Sequence, residues 1–121
     1  MRIEQMSSVK GSEDPEHHLY EAIASIRSVE EARKFFNDLC TPAEIQAMVG
    51  RWQVVDLIKA EKPYRQIYDE TGVSVTTVGR VARHLMLGAG GYNIIYERLK
   101  KKYHASKSAV KNSHSKKREV K

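Results

Sequence analysis

Pro63–Leu85 reads PYRQIYDETGVSVTTVGRVARHL, and the interpretation of this stretch decides the fold. It divides at Gly72 into two helical segments. Gly72 stands where the chain must turn sharply, and only a residue without Cβ takes positive φ cheaply. Ile67, Val73, Val78 and Val81 fall at the spacings that lock two crossed helices together. Ser74, Thr76, Thr77 and Arg80 then point outward from the start of the second helix. Short hydroxyls and a guanidinium suit phosphates and base edges. An ordinary helical hairpin needs the same glycine and apolar residues. The agreement of several independent positions favours a helix-turn-helix that reads double-stranded DNA.

Upstream, helix starts are written in the sequence. Asp14-Pro15 pairs an N-cap with proline at the first helical position, opening a helix with Leu19, Ile23 and Ile26 on one face. Ser28-Val29-Glu30-Glu31 is a capping box that starts a second helix through Phe35, Phe36 and Leu39. Thr41-Pro42-Ala43-Glu44 combines cap, proline and reciprocal glutamate. The third helix, from Pro42 to about Ala60, is the longest, with an apolar stripe of Ile45, Met48, Val49, Trp52, Val55 and Ile58. Downstream, Gly88-Ala89-Gly90-Gly91 breaks the chain before a last helix from Tyr92 to Tyr103. The expected fold class is all-α with six helices.

Length and charge bound the rest. The 121 residues make one domain, with three prolines and seven glycines interrupting it. The net charge of +6 is a property of one end: Lys100–Lys121 holds nine Lys/Arg and one Glu, or +8, leaving −2 for the first 99 residues. That basic end, KKKYHASKSAVKNSHSKKREVK, has almost no large apolar residues, so disorder is expected over residues 104–121. Two uses fit it: non-specific affinity for nucleic acid through counterion release, or plain solubility. Residues 1–13 carry no sustained pattern and read as a flexible arm, which leaves residues 14–103 as the helical DNA-binding and dimerisation domain. No apolar run suits a membrane span and no signal-peptide core is present, so a cytoplasmic protein without a membrane partner is expected. Cys40 stands alone, which excludes an intramolecular disulfide and suggests a buried small hydrophobe. The first three helices show more apolar surface than a monomer of this size easily buries, Phe35 and Phe36 above all. A homodimer is the simplest cover, and it suits two recognition helices one DNA turn apart.

The segment Phe35–Leu85 resembles the Trp repressor superfamily, and within it the small bacterial Trp repressor-related proteins. The matching blocks occur in order: Asp38-Leu39-Cys40-Thr41-Pro42-Ala43-Glu44-Ile45-Gln46, then Arg51, Tyr64-Arg65-Gln66-Ile67, and Thr71 through Val81. Gly91-Tyr92 is similar to the linker after the family's recognition helix. The resemblance implies a six-helix fold with an intertwined homodimer whose helix-turn-helix units protrude toward operator DNA. It also implies a role as transcriptional regulator, as a repressor.

The resemblance points to two sets of residues. Arg51 and Arg80 match the arginines that sandwich the corepressor's indole ring in the family. The family's ligand-side glycine is Val81 here, whose branched side chain would intrude, and its anchoring serine is His84. Thr41 keeps the position that closes the amine end. Tryptophan is therefore not the expected effector; another small anion between the arginines, no effector at all, and simple surface pairing of Arg51 and Arg80 stay open. On the DNA side, Arg65 matches the arginine that approaches a guanine edge. Gln66 is placed to reach a phosphate, Ser74 to cap the recognition helix, and Thr76 and Thr77 to meet base edges. Gly79 allows close backbone approach, while Arg80 and Arg83 suit backbone phosphates. Tyr68 and Thr71 are larger and more polar than the general motif prefers, and they imply a looser hairpin.

Catalysis has no support. The sequence has no glycine-rich phosphate loop, no nucleophile motif and no paired carboxylates. Neighbouring His17 and His18 point different ways on a helix and make no metal site together. No cofactor is expected. The competing class is an RNA- or protein-binding adaptor working through the basic tail.

Overall fold

The computed structural model describes residues 14–102. These form six helices, with no strand among the described residues. They are α1 (Pro15–Ala24), α2 (Val29–Leu39), α3 (Pro42–Lys59), α4 (Tyr64–Thr71), α5 (Val75–Leu87) and α6 (residues 91–102). The arm expected over residues 1–13 and the tail expected over 104–121 lie outside the described residues.

Each of the first three helices begins at the cap its sequence encodes. Asp14 accepts from the Glu16 N–H at 3.1 Å, with Pro15 at the first helical position. The Ser28 hydroxyl accepts from the Glu31 N–H at 3.1 Å. The Glu31 carboxylate reaches back one residue further than a capping box requires, to the Arg27 N–H at 2.9 Å. Thr41 and Glu44 close the reciprocal box: the Glu44 N–H donates to Thr41 Oγ1 at 3.2 Å and the Thr41 N–H to Glu44 Oε1 at 2.8 Å. Those two bonds, the backbone one foremost, hold the Glu44 carboxyl below its ordinary value of 4.5.

The described residues divide into two compact units, 14–47 and 48–102. In the first, none of the described hydrophobic side chains is buried. Leu19, Tyr20, Val29 and Leu39 are exposed, while Phe35 and Phe36 are half-buried and meet edge to face at 5.6 Å. Cys40, expected inside, is half-buried at the C-cap of α2. His18 is the buried polar residue of α1.

The second unit holds the core. Val54 and Val55 from α3, Ile67 from α4, and Val78 and Val81 from α5 are all 1% exposed or less. Leu57, Ile58, Val73, Leu85, Tyr92 and Tyr96 pack around them. The apolar stripe expected along α3 is therefore divided: Val55 and Ile58 join this core, whereas Val49 and Trp52 are exposed. Val54, outside that stripe, is fully buried. The reason is that α3 is apolar on more than one side, and the core takes only the side nearest α4 and α5.

The end of α3 is a Schellman turn. The Lys62 N–H donates to the Leu57 carbonyl at 3.2 Å and the Glu61 N–H to the Ile58 carbonyl at 2.9 Å. Glu61 sits at φ 60°, in the left-handed region that glycine usually fills.

Candidate nucleic-acid interface

The turn between α4 and α5 is built as its sequence requires. Gly72 takes φ 78° at the C-cap of α4, and its N–H donates to the Tyr68 carbonyl at 2.8 Å. Thr71, expected to loosen this hairpin, does the reverse. Its hydroxyl donates to the Ile67 carbonyl at 2.7 Å and accepts from the Val73 N–H at 3.1 Å, so one half-buried side chain ties the end of α4 to the turn. The Tyr68 side chain is exposed.

Ser74 caps α5 as expected, accepting from the Thr77 N–H at 3.1 Å. Its own hydroxyl donates to Thr77 Oγ1 at 3.0 Å. Thr77 is thus half-buried within the cap, while Thr76 beside it is exposed. One helical turn on from Thr76 along the solvent side stands Arg80, and a further turn on stand Arg83 and His84, all exposed. Val78 and Val81 anchor the opposite side in the core. Gly79 is half-buried, and a Cβ built on it would stand 3.9 Å from the Tyr64 ring. The glycine therefore faces the first residue of α4, and Tyr64, which sequence spacing alone does not single out, lies beside α5.

On α4, Arg65 and Gln66 are both exposed, but their surroundings differ. Arg65 has no described carboxylate within ion-pair distance, and the same is true of Arg80 and Arg83. Gln66 is engaged: its Nε2 donates to Glu70 Oε2 at 2.8 Å, and Lys62 Nζ lies 3.4 Å from the same oxygen. The Gln66 bond is the main cause that lowers the Glu70 carboxyl below its ordinary value; desolvation opposes it, and Lys62 adds weaker lowering contributions. The i, i+4 spacing of Gln66 and Glu70 was the available signal for this pair.

The residues matched to a corepressor pocket are less uniform. Thr41 belongs to the first unit, where its hydroxyl serves the α3 cap. In the second unit, Arg51 is half-buried, Arg80 and His84 are exposed, and Val81 is core. Neither arginine pairs with a described carboxylate, so surface pairing does not occupy them. Trp52, next to Arg51, stacks on Tyr92 at 6.3 Å between centroids and 18° between planes. No group of three His, Cys, Asp or Glu among the described residues is arranged to hold a metal ion. No described helix is long and apolar enough to cross a membrane.

A short first helix, a tight glycine turn and a capped second helix with an arginine-bearing outer side, set in an all-helical frame, define the class of helix-turn-helix proteins. The chain belongs to the Trp repressor protein family, which matches residues 16–100. It is 35% identical over 96 residues to the uncharacterised protein YerC of Bacillus subtilis, spanning 79% of this chain and 90% of that one. Two solved structures share the fold. A TrpR-like protein from Eubacterium eligens is 37% identical with a TM-score of 0.65, over 69% of this chain and 86% of its own. A Trp repressor candidate from Staphylococcus aureus is 36% identical with a TM-score of 0.67, over 83% of this chain and 95% of its own.

Proposed function

We propose that this chain is a sequence-specific double-stranded-DNA-binding protein that acts in the cytoplasm as a transcriptional repressor, without catalytic activity. The observation that carries the reading is the outer side of α5: Thr76, Arg80 and Arg83 are exposed, and neither arginine is neutralised by a described carboxylate. A helix locked from behind by Val78 and Val81 presents those groups at fixed spacing. Free guanidinium groups suit phosphate oxygens, and Thr76 suits a base edge or a thymine methyl. Arg65 on α4, equally free, is assigned the guanine contact. Gln66 reaches a phosphate once it leaves Glu70, Ser74 and Thr77 present the start of α5, and Gly79 keeps Tyr64 close beneath it.

The working form is an intertwined homodimer. The first unit buries no described hydrophobic side chain, and Val29 there is 75% exposed. In the second unit Met86 and Leu87 are 82% and 80% exposed at the end of α5, and Ile94 and Ile95 are exposed on α6. Leaving that much apolar surface in water is costly, and a second copy removes it. Tryptophan is not the corepressor. Val81 occupies the core where the family leaves space, and Trp52 already supplies an indole stacked on Tyr92.

The test is selection of genomic DNA fragments by the full-length chain and by a version ending at Lys102, which retains all of the described α6. A recurrent, roughly palindromic sequence enriched by both supports the reading. The basic tail supports a second one, an RNA- or protein-binding adaptor, because it carries the chain's excess positive charge. Random fragments held only by the full-length chain, with RNA bound as well as DNA, would replace the first reading with the second.

A further inference from the structure

The corner between α5 and α6 contains an unmet acceptor. The last carbonyls of a helix have no helical donor. At the end of α5 the Gly88 N–H donates to the His84 carbonyl at 2.9 Å, and no described backbone N–H reaches the next carbonyl, that of Leu85. Gly88 turns to extended backbone, φ −83° and ψ −162°, which carries the chain off the helical path, and a Cβ on Gly88 would stand 2.5 Å from the His84 carbonyl oxygen.

Asn93, on the first turn of α6, fills the gap. Its Nδ2 donates to the Leu85 carbonyl at 3.0 Å, and its Oδ1 accepts from Lys59 Nζ at 2.7 Å. Lys59 is the last residue of α3, so one amide joins the ends of three helices. Its orientation is fixed by its neighbours: an ammonium only donates and a carbonyl only accepts, and the reversed amide would meet both with like groups. The surroundings hold the clamp in place. The Lys59 ammonium lies 4.8 Å from the centre of the Tyr96 ring, and the Tyr96 hydroxyl donates to Asp56 Oδ1 at 3.0 Å.

We propose that Asn93 is a positioning residue for DNA reading: it ties the C-terminal end of the recognition helix to the first turn of α6, and thereby sets how Arg80 and Arg83 meet the duplex. The N-terminal end of α5 is held by Thr71 and Ser74 and its middle by Val78 and Val81, so Asn93 adds the one side-chain hydrogen bond described at the last turn, and without it that turn is freer to shift. This role rests on the DNA-reading assignment of α5.

The decisive comparison uses Asn93→Asp and Lys59→Met in the full-length chain. The aspartate keeps an acceptor for Lys59 but sets a carboxylate against the Leu85 carbonyl. The methionine leaves the Leu85 bond intact. Affinities for the enriched duplex and for a random duplex of equal length are measured well below the unfolding temperature, together with amide hydrogen exchange over residues 84–89. Asn93→Asp is expected to cut the specific-to-random ratio about tenfold, the scale of one misplaced base contact, and to speed exchange at the end of α5. Lys59→Met is expected to hold the ratio within about threefold, since the donor to Leu85 remains. If the aspartate unfolds the chain, Asn93→Ala is held to the same result. A ratio unchanged in the Asn93 variant, or lost equally in Lys59→Met, overturns the positioning role and leaves the DNA reading standing. A wild-type chain that prefers no duplex sequence overturns both.

Discussion

Glu61 and Gly72 both take left-handed backbone just beyond a helix, Glu61 two residues past the end of α3 and Gly72 one past α4, with φ 60° and 78°. Exchanging their residue types should move stability in opposite directions. A Cβ added at Gly72 meets nothing within 4 Å, so Gly72→Ala introduces no clash and its cost is conformational. The left-handed region costs an L-residue roughly 1–2 kcal/mol, and the stiffer unfolded chain returns about 0.4–1 kcal/mol. The expected loss is about 1 kcal/mol. At Glu61 the same quantities act in reverse, because its side chain is exposed and makes no hydrogen bond or ion pair with a described residue. Glu61→Gly should therefore gain roughly 0.5–1 kcal/mol, and the double variant should return to within about 0.5 kcal/mol of wild type. The assay is urea unfolding at one fixed chain concentration, since a dimer's midpoint moves with concentration. Midpoints should shift with the slope unchanged. A loss above about 3 kcal/mol in Gly72→Ala would place a steric obstacle where the structure has open space. Destabilisation by Glu61→Gly would refute the account of the α3 terminus, because it would require the glutamate side chain to hold something.

Other consequences concern binding and pH. Arg65→Ala should lower affinity for the selected duplex by about 1–3 kcal/mol while random duplex binding stays nearly intact; equal losses in a competition assay would remove Arg65 from base reading. Glu70→Ala releases Gln66 and Lys62 and deletes a negative charge from α4, so duplex binding should tighten and log K against log salt should steepen by about one. An unchanged slope would mean that Lys62 stays away from phosphates. The Glu44 carboxyl, held below its ordinary 4.5 by the Thr41 backbone and hydroxyl, favours the folded state. The sign follows from the depressed folded value: the contribution is present above 4.5 and is lost as pH falls through the lower, folded value. Glu44→Gln should flatten the urea midpoint's fall below pH 4.5, and parallel acid profiles for variant and wild type would contradict the cap's role.

The starts of α1, α2 and α3 were legible because a cap is a local device. Asp14, Ser28 and Thr41 each satisfy backbone N–H groups within three residues, so spacing along the chain is nearly the whole geometry. The division of α3 was not legible. Val54 and Val49 are equally apolar, and only the position of α4 and α5 decides that one is buried and the other exposed. Thr71 illustrates a second kind of miss. Judged by polarity it weakens a hydrophobic turn; judged by geometry its hydroxyl bonds to both sides of that turn. Asn93 was invisible for a third reason: its partners Lys59 and Leu85 lie 34 and 8 residues away, and nothing in its neighbourhood marks an amide as bridging them.

The same contrast bears on how α3 serves both units. Along its length, Val54, Val55 and Ile58 face the core that holds the helix-turn-helix, while Val49 and Trp52 remain exposed and the preceding helices bury no described hydrophobic side chain of their own. Hydrophobic association has no direction, so exposed apolar side chains such as these are costly for a lone chain and stabilising for a pair. A chain that joined only through its first unit would leave Met86, Leu87, Ile94 and Ile95 in water at the corner where Asn93 holds the end of α5. A partner covering that corner would restrict the first turn of α6 and so the clamp itself. On the proposed reading, pairing and the hold on α5 are then aspects of one packing problem, and polar substitution at Ile94 or Ile95 should reduce sequence discrimination before it reduces helix content.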